Sequence, residues 1–397
     1  MLSKVLDNVR VLDLSRILAG PWCTQNLADL GAEVIKVERP GQGDDTRKWG
    51  PPYLHSQDGE ETFSAYFTCC NRNKQSICLD FAAQADRATL LALLRDTDVL
   101  VENYKAGTLK RYGLDYETLK ALRPGLIYVS ITGYGQDGPK AARPGYDYIF
   151  QGMGGLMGYT GRADDEPGAG PLRAGMPVVD IATGMYATSA ILAALLRRGR
   201  TGEGGHLDIA LLDVAVAINA NQGANYLVSG QNPGRTGNAH PNLAPYEVFR
   251  ASDGHFILAV GNDEQFGRLS TLCGRPDLAT DARFGSNKDR VRNLAALRAI
   301  LADILIQRDR AHWTTQLEAA GIAWGPVNTL EEVFADEQVR HRGMLRHAEH
   351  PRFGAIPLVR NPMLAGEADT PLRPPPLMGE HTEAVLRRLA EPDHKHQ

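Results

Sequence analysis

Apolar and polar positions in the first 130 residues alternate between two periods. Val9-Arg10-Val11-Leu12-Asp13-Leu14 is a short, β-branched run that reads as a strand. A helix follows from Pro21 through Leu30 and Gly31 closes it, with proline at the opening turn and glycine past the end. Glu33 to Val37 reads as the next strand. The pattern then repeats: a helix near Ala85 to Arg95, a strand Val99 to Val101, a helix Tyr116 to Leu122 and a strand Ile127 to Ser130. Strands separated by single helices predict right-handed βαβ units and a mainly parallel sheet, an α/β fold. Ligands of such sheets gather beyond the C-terminal ends of the strands, where Arg16, Arg39, Asn103 and Thr132 stand.

The middle of the chain is helical from Asp180 to Arg198, with Ile181, Met185, Ile191, Leu192 and Leu195 on its apolar positions. Thr183, Gly184 and Ser189 interrupt it, which suits a buried helix rather than a membrane span. Leu207 to Ala210 and a helix towards Leu227 come next. Between Gly230 and Pro245 the composition turns to Gly, Asn and Pro, the mark of a linker or crossing. Tyr246 to Arg250 and His255 to Val260 flank Ser252-Asp253-Gly254 and predict a hairpin. Helices are expected at Glu264 to Cys273, Arg292 to Ile306 and His381 to Leu389.

Composition narrows the function. The 397 residues are 43% hydrophobic with a formal net charge of -4, so no basic field exists to hold nucleic acid. The first residues carry Asp7, Asp13 and Arg16 in place of a continuous apolar run, so neither a signal peptide nor a membrane anchor is expected there and a cytoplasmic protein is. Five scattered cysteines without CxxC or HExxH give no sign of a zinc site or redox dithiol. The turn after the first strand, Ser15 to Gly20, lacks GxGxxG. The cluster Gly152-Met153-Gly154-Gly155 misses that spacing, and no P-loop or G-x-S-x-G elbow is present.

Three segments remain. Arg16 to Gln25 with Glu38 to Arg47 sets arginines beside a helix N-terminus, a fair anion site or equally a salt-bridge cluster. Asn71 to Lys74, with Glu102 to Lys105 and Arg111, offers cations and amides after strands, suited to phosphates or to solvated loops. Asp180 stands alone between the run Gly175 to Val179 and a helix. Its plain reading is an N-cap, and a carboxylate at a helix N-terminus is expected to stay ionised, as a nucleophile must be.

Taken in order, Arg16 to Pro21, Leu30 to Pro40, Gly43 to Arg47, Asn71 to Lys74, Val101 to Tyr104, Ser130 to Gly135, Asp180 to Gly184, Gly237 to Pro241, Trp324 to Asn328 and Gly379 to Thr382 resemble the family III CoA-transferases, the CaiB/BaiF family. Leu18 to Pro21 together with the run Arg39 to Pro52 is most similar to the succinate–hydroxymethylglutarate (glutarate) enzymes. The resemblance implies a Rossmann-like large domain with a mainly parallel sheet, a smaller α+β domain and an interlocked homodimer. The large domain would span 1–225, the small domain 226–325, and 326–397 would return to the large domain. CoA and acyl-CoA would enter as substrates, with no metal and no permanently bound cofactor.

By the same resemblance Asp180 is the nucleophile. CoA would be met by Ile17, Leu18, Arg39, Asn71, Arg72, Asn73, Lys74, Asn103, Tyr104, Lys105, Arg111, Thr132, Gly133, Tyr134 and Gly135. Arg16, Arg47, Arg72, Arg173 and His240 are candidates for the distal carboxylate of a dicarboxylate acceptor. The region Val260 to Gln265 lacks the glycine run of the formyl-CoA enzymes, which argues against an oxalate–formyl-CoA pair. The alternative is an α-methylacyl-CoA racemase, an isomerase of the same fold. It needs a second acid/base, a histidine where this chain has Tyr146, and a phenol is a poor proton shuttle near neutral pH.

Overall fold

The strands expected from the N-terminal third join one parallel sheet. The computed structural model describes residues 2–164, 166–367 and 372–391. Its sheet contains β1 (Arg10–Asp13), β2 (Glu33–Glu38), β3 (Gln75–Cys78), β4 (Val99–Glu102), β5 (Ile127–Thr132) and β6 (Gly205–Ala210), in the order β6-β5-β4-β1-β2-β3. β2 and β3 step outward on one side of β1, and β4, β5 and β6 on the other, the order of a doubly wound fold. β3 was not among the expected strands: in Gln75-Ser76-Ile77-Cys78 only Ile77 is β-branched, and polar Gln75 and Ser76 precede it, so the segment lacks the apolar run that marks β1 and β4.

Helices α1 (Ala19–Asp29), α2 (Ala65–Thr68), α3 (Gln84–Leu94), α4 (Tyr116–Leu122), α5 (Asp147–Met153), α6 (Val178–Thr201) and α7 (Leu211–Ala217) follow the strands. Alternate strand residues face opposite cores. Val11, Val34, Val101 and Val129 pack with Leu27 of α1 and Ile191 of α6, whereas Leu12, Ile35, Leu100 and Tyr128 pack with Leu90 and Leu94 of α3. Helix α6 is long and apolar enough to cross a membrane by composition. Its buried face, Val179, Thr183, Ala187 and Ile191, instead enters the core beside α1. Gly184 permits that approach, since a Cβ there would stand 2.7 Å from the carbonyl oxygen of Ala19.

The chain divides into two compact units. The first comprises Met1–Leu156, Ala174–Gly230 and Asp336–Gln397, and holds the parallel sheet. The second comprises Met157–Arg173 and Gln231–Ala335. In it β7 (Tyr246–Ala251), β8 (Gly254–Ala259) and β9 (Ala323–Pro326) form an antiparallel sheet. Helices α8 (Asp263–Leu272), α9 (Leu294–Leu305) and α10 (Arg310–Ala319) cover a core of Phe256, Phe266, Leu301 and Trp313. Gly325 and Pro326, expected near a crossing, pair with Ile257 and Phe256, so the chain leaves this unit ten residues later than the sequence suggests. Back in the first unit, a hairpin of β10 (Leu345–His350) and β11 (Gly354–Val359) precedes α11 (Thr382–Ala390), whose Val385 enters the α3 core. Residues 392–397 of the expected C-terminal segment lie outside the described residues.

Candidate active site

The reversal of strand order between β1 and β4 opens a crevice beyond their C-terminal ends. A cavity of about 260 Å³ lies there, with Arg16, Arg39, Gln42, Phe81, Tyr104 and Tyr112 among its walls. The carboxamide of Asn103 joins the two loops above it: it accepts the N–H of Arg16 at 2.9 Å and donates to the Arg16 carbonyl at 2.6 Å. The Arg16 guanidinium pairs with Asp45 at 3.0 Å and lies 5.2 Å above the Tyr104 ring. Arg39 is exposed at the same cavity and has no ion pair or hydrogen bond from its side chain among the described residues. Of the two arginines on this cavity, it is the one without a carboxylate partner.

Ile17 has φ 72°, a left-handed conformation that a β-branched side chain disfavours. Its N–H points at both carboxylate oxygens of Asp44, at 3.2 and 3.3 Å. Asp44 is itself buried against Lys36 at 2.8 Å. Leu18 then leads into α1 with its side chain buried.

Other expected contacts are engaged inside the fold. Asn71, Arg72, Asn73 and Lys74 are all buried. Arg72 forms a forked pair with Asp29, and Asn73 donates to Asp29 at 2.8 Å. Lys74 gives its three protons to Asp13 at 3.1 Å, the Pro21 carbonyl at 2.9 Å and Asn71 at 3.0 Å. The part of this segment that faces the cavity is instead Leu79, Asp80, Phe81 and Ala82, which the sequence reading did not select. Arg47 is held by Glu38 through bonds of 2.7 and 2.6 Å and covers the Phe67 ring at 3.7 Å. Lys105 lines a neighbouring cavity of about 180 Å³, and Arg111 is exposed on the turn Leu109–Tyr112. His240 belongs to the second unit, where it stacks on Tyr246 at 5.1 Å and its Nδ1 accepts the Asn242 N–H at 3.1 Å.

Thr132 to Gly135 leave β5 and lead towards α5. The Thr132 hydroxyl accepts the Gly135 N–H at 2.9 Å, and Tyr134 meets the Phe150 ring edge-on at 5.1 Å. Gly133 is required, because a Cβ there would stand 2.8 Å from that ring. Helix α5 also carries Asp147, and here the expected N-cap role of Asp180 is corrected. Helix α6 starts at Val178 after Pro177, which has no capping side chain. Asp147 supplies the cap from another helix, accepting the N–H groups of Val179 at 2.8 Å and Asp180 at 3.1 Å. Gln151 orients it with a 2.5 Å bond and ties the Ala174 N–H at 2.8 Å.

Asp180 is thereby released from capping. Its carboxyl is half-buried, lies in the first turn of α6, and has no hydrogen-bond or ion-pair partner among the described residues. Burial, then the charge of Asp147, pushes it up to about 7. That corrects the expectation of a carboxylate kept ionised by the helix N-terminus: the cap that serves the helix is itself an anion. Tyr66 of α2 lies close enough that burial and then the Asp180 charge raise its phenol above the ordinary range. Tyr66 packs edge-on against Trp49 at 5.2 Å. Neither Tyr66 nor Asp147 was selected from sequence. For Asp147 the signal is a helix that opens on Pro177 without a capping side chain, so its acceptor had to come from elsewhere.

The first unit thus carries a cavity with a free arginine beyond the sheet and, on the first turn of α6, an unpartnered carboxyl. The chain belongs to CoA-transferase family III, whose family model matches residues 6–382, and it is a CoA-transferase. It is 49% identical over 387 residues to a succinate–glutarate CoA-transferase of Agrobacterium fabrum, covering 97% of this chain and 95% of that one. It is 42% identical to a mouse succinyl-CoA:glutarate CoA-transferase, covering 98% and 87%. A solved CaiB/BaiF family protein from Brucella suis superposes with a TM-score of 0.85 at 47% identity, covering 97% of this chain and 99% of that one.

Proposed function

We propose that the enzyme moves CoA from succinyl-CoA, or a similar acyl-CoA, to glutarate or a related dicarboxylic acid of four to six carbons. The names of the relatives above support these substrates. The observation that carries the mechanism is the unpartnered Asp180 carboxyl, freed by the Asp147 cap. Asp180 attacks the thioester carbonyl, giving an aspartyl anhydride and CoA thiolate. The thiolate attacks the aspartyl carbonyl, releasing the donor acid and leaving an aspartyl-CoA thioester. The acceptor carboxylate attacks that thioester to form a second anhydride and free thiolate. The thiolate then takes the acceptor acyl group and restores Asp180. A carboxylate is a weak nucleophile, so positioning carries most of the rate.

The nucleotide would lie in the Arg39 cavity, with Arg39 and Arg111 meeting phosphates and Phe81 and Tyr104 flanking the base. Asn71 to Lys74 would act as the buried frame beneath it. Tyr134 and Tyr66 would border the thioester end. Exposed apolar residues of the first unit, Leu227 at 82% and Val228 at 89%, favour a partner that covers them, in keeping with an interlocked homodimer. Sedimentation at the 43.3 kDa chain mass would overturn that assembly. Five free thiols fit a reducing cytoplasm.

The experiment is an acid quench of enzyme mixed with succinyl-CoA, followed by peptide mass spectrometry. A CoA-sized addition on the peptide holding Asp180 is expected, together with loss of transfer by about 10³-fold or more in Asp180→Asn. Transfer that persists in Asp180→Asn would overturn the mechanism. A screen favouring monocarboxylates or oxalate as acceptor would overturn the substrate class.

A further inference from the structure

Glu102 is a buried carboxyl that the chemistry above does not use. It ends β4 with 5% of its surface exposed, and its Oε2 accepts the Tyr104 N–H at 2.8 Å. In register it lies beside Ser130 of β5, which lies beside Asp208 of β6. The Ser130 hydroxyl, one strand away from the Glu102 carboxyl, stands 3.0 Å from Nε2 of His206. The His206 ring stacks on Tyr116 at 5.1 Å. A chain of polar groups thus runs from the edge strand β6 to the loop that walls the Arg39 cavity. In that loop Asn103 grips the Arg16 backbone, and Tyr104 meets Phe81 edge-on at 5.6 Å.

We propose that Glu102 is a positioning residue for acyl-CoA: as a carboxylate it clamps the Tyr104 N–H and fixes Asn103, Tyr104 and Arg16, while Ser130 and His206 govern whether it carries that charge. This rests on the Arg39 cavity being the CoA nucleotide site. An ionised acceptor makes a hydrogen bond roughly twice as strong as a neutral one. The Ser130 hydroxyl can point only one way at a time. With a proton on Nε2 of His206, it donates to an ionised Glu102; with that nitrogen bare, it donates to His206 and accepts from a protonated Glu102.

The surroundings leave the choice close. Burial pushes the Glu102 carboxyl up to about 7, against the pull of Ser130 and the Tyr104 hydrogen bond, with Asp208 adding to the rise. Lys105 and Lys110, with Asp115 and Glu117 at the start of α4, line the adjoining cavity together with Glu102. Tyr116 and Tyr128 line that cavity too, and burial raises Tyr128 above its ordinary range, which keeps it neutral. Burial lowers His206, so it is neutral near pH 7 and can take either role. As pH rises through 7 Glu102 ionises, the loop tightens and the KM for acyl-CoA falls.

The test is the KM for succinyl-CoA between about pH 5.5 and 8.5. In the wild type it is expected to fall about 3- to 10-fold across that range. Glu102→Gln keeps the acceptor oxygen but cannot ionise, so its KM should stay flat at the low-pH value while the kcat profile, set by Asp180, keeps its midpoint. Ser130→Ala removes the donor to the carboxylate and should move the KM midpoint upward. A Glu102→Gln enzyme with the wild-type fall in KM overturns the proposal. If that variant does not fold, an unmoved midpoint in Ser130→Ala does so. Arg39→Ala separates the two readings. If it leaves KM unchanged, the cavity assignment fails; if it raises KM and Glu102→Gln behaves as wild type, only the role of Glu102 fails.

Discussion

Asp180 must be ionised to attack a thioester, yet its surroundings favour the proton. Burial and Asp147 hold its carboxyl near 7, so at pH 6 only about a tenth of the free enzyme carries the nucleophile. The kcat/KM for transfer should therefore rise roughly tenfold per unit below pH 7 and level off above it. A flat profile from pH 5 to 8 would show that the nucleophile titrates elsewhere. The same shift has a stability sign. The unfolded chain releases this proton near the ordinary 3.8, whereas the folded chain keeps it to about 7. Between those values stability falls as pH rises, and the full cost is present above pH 7. Asp180→Asn should raise the melting temperature at pH 8 and leave it nearly unchanged at pH 4. An equal effect at both pH values would contradict the shift.

Helix α6 is 24 residues long, but its first turn depends on a side chain from α5. Asp147→Ala removes an acceptor for two N–H groups and should destabilise the protein by about 1–2 kcal/mol. It should also depress transfer, because the turn that aims Asp180 loses its anchor. Asp147→Asn keeps an acceptor oxygen and removes the charge, so much of the stability should remain while the pH midpoint of kcat/KM moves down. Stability from denaturant titration and the midpoint from the rate profile separate the two roles; an unmoved midpoint in Asp147→Asn would remove Asp147 as a cause of the raised carboxyl. This cap marks the limit of what the sequence discloses. Period and punctuation located α1, α3 and α4 and the strands β1, β2, β4 and β5, because each carries its own apolar face and its own stop signals. Four-residue β3 carries neither. A cap donated across 33 positions, or the folding of Asn71 to Lys74 inward while Leu79 to Ala82 face the cavity, depends on which elements become neighbours. Local pattern holds no record of that.

Across the first unit, the floor of the site is a layer of buried charge. Asp13, Lys36, Asp44 and Lys74 have almost no exposed surface, and Glu38 with Arg47 and Asp29 with Arg72 extend the layer. Burial alone would raise Asp44, but Lys36 and the Thr46 hydrogen bonds outweigh it and hold the carboxyl at about 2. Burial would likewise raise Asp13, and Lys74 and Lys36 keep it low. These depressed carboxyls contribute stability at neutral pH that is lost as pH falls from about 4 towards 2, through the folded-state value of Asp44. Such pairs are often no more stabilising than a well-packed apolar replacement, though removing one partner strands the other. Lys36→Met leaves Asp44 buried without its cation and should cost about 3–5 kcal/mol in denaturant titration. Lys36→Met with Asp44→Leu removes both charges and should recover most of that loss. Activity should not follow stability in the double variant. Without Asp44 the Ile17 N–H loses its acceptor, and the clamp on a β-branched residue at φ 72° beside Arg16 and the cavity is weakened. The double variant should melt near the wild type yet show a KM for acyl-CoA raised by about tenfold or more. Recovery of both properties together would mean that the buried pair serves packing alone and that the left-handed Ile17 does not need its clamp.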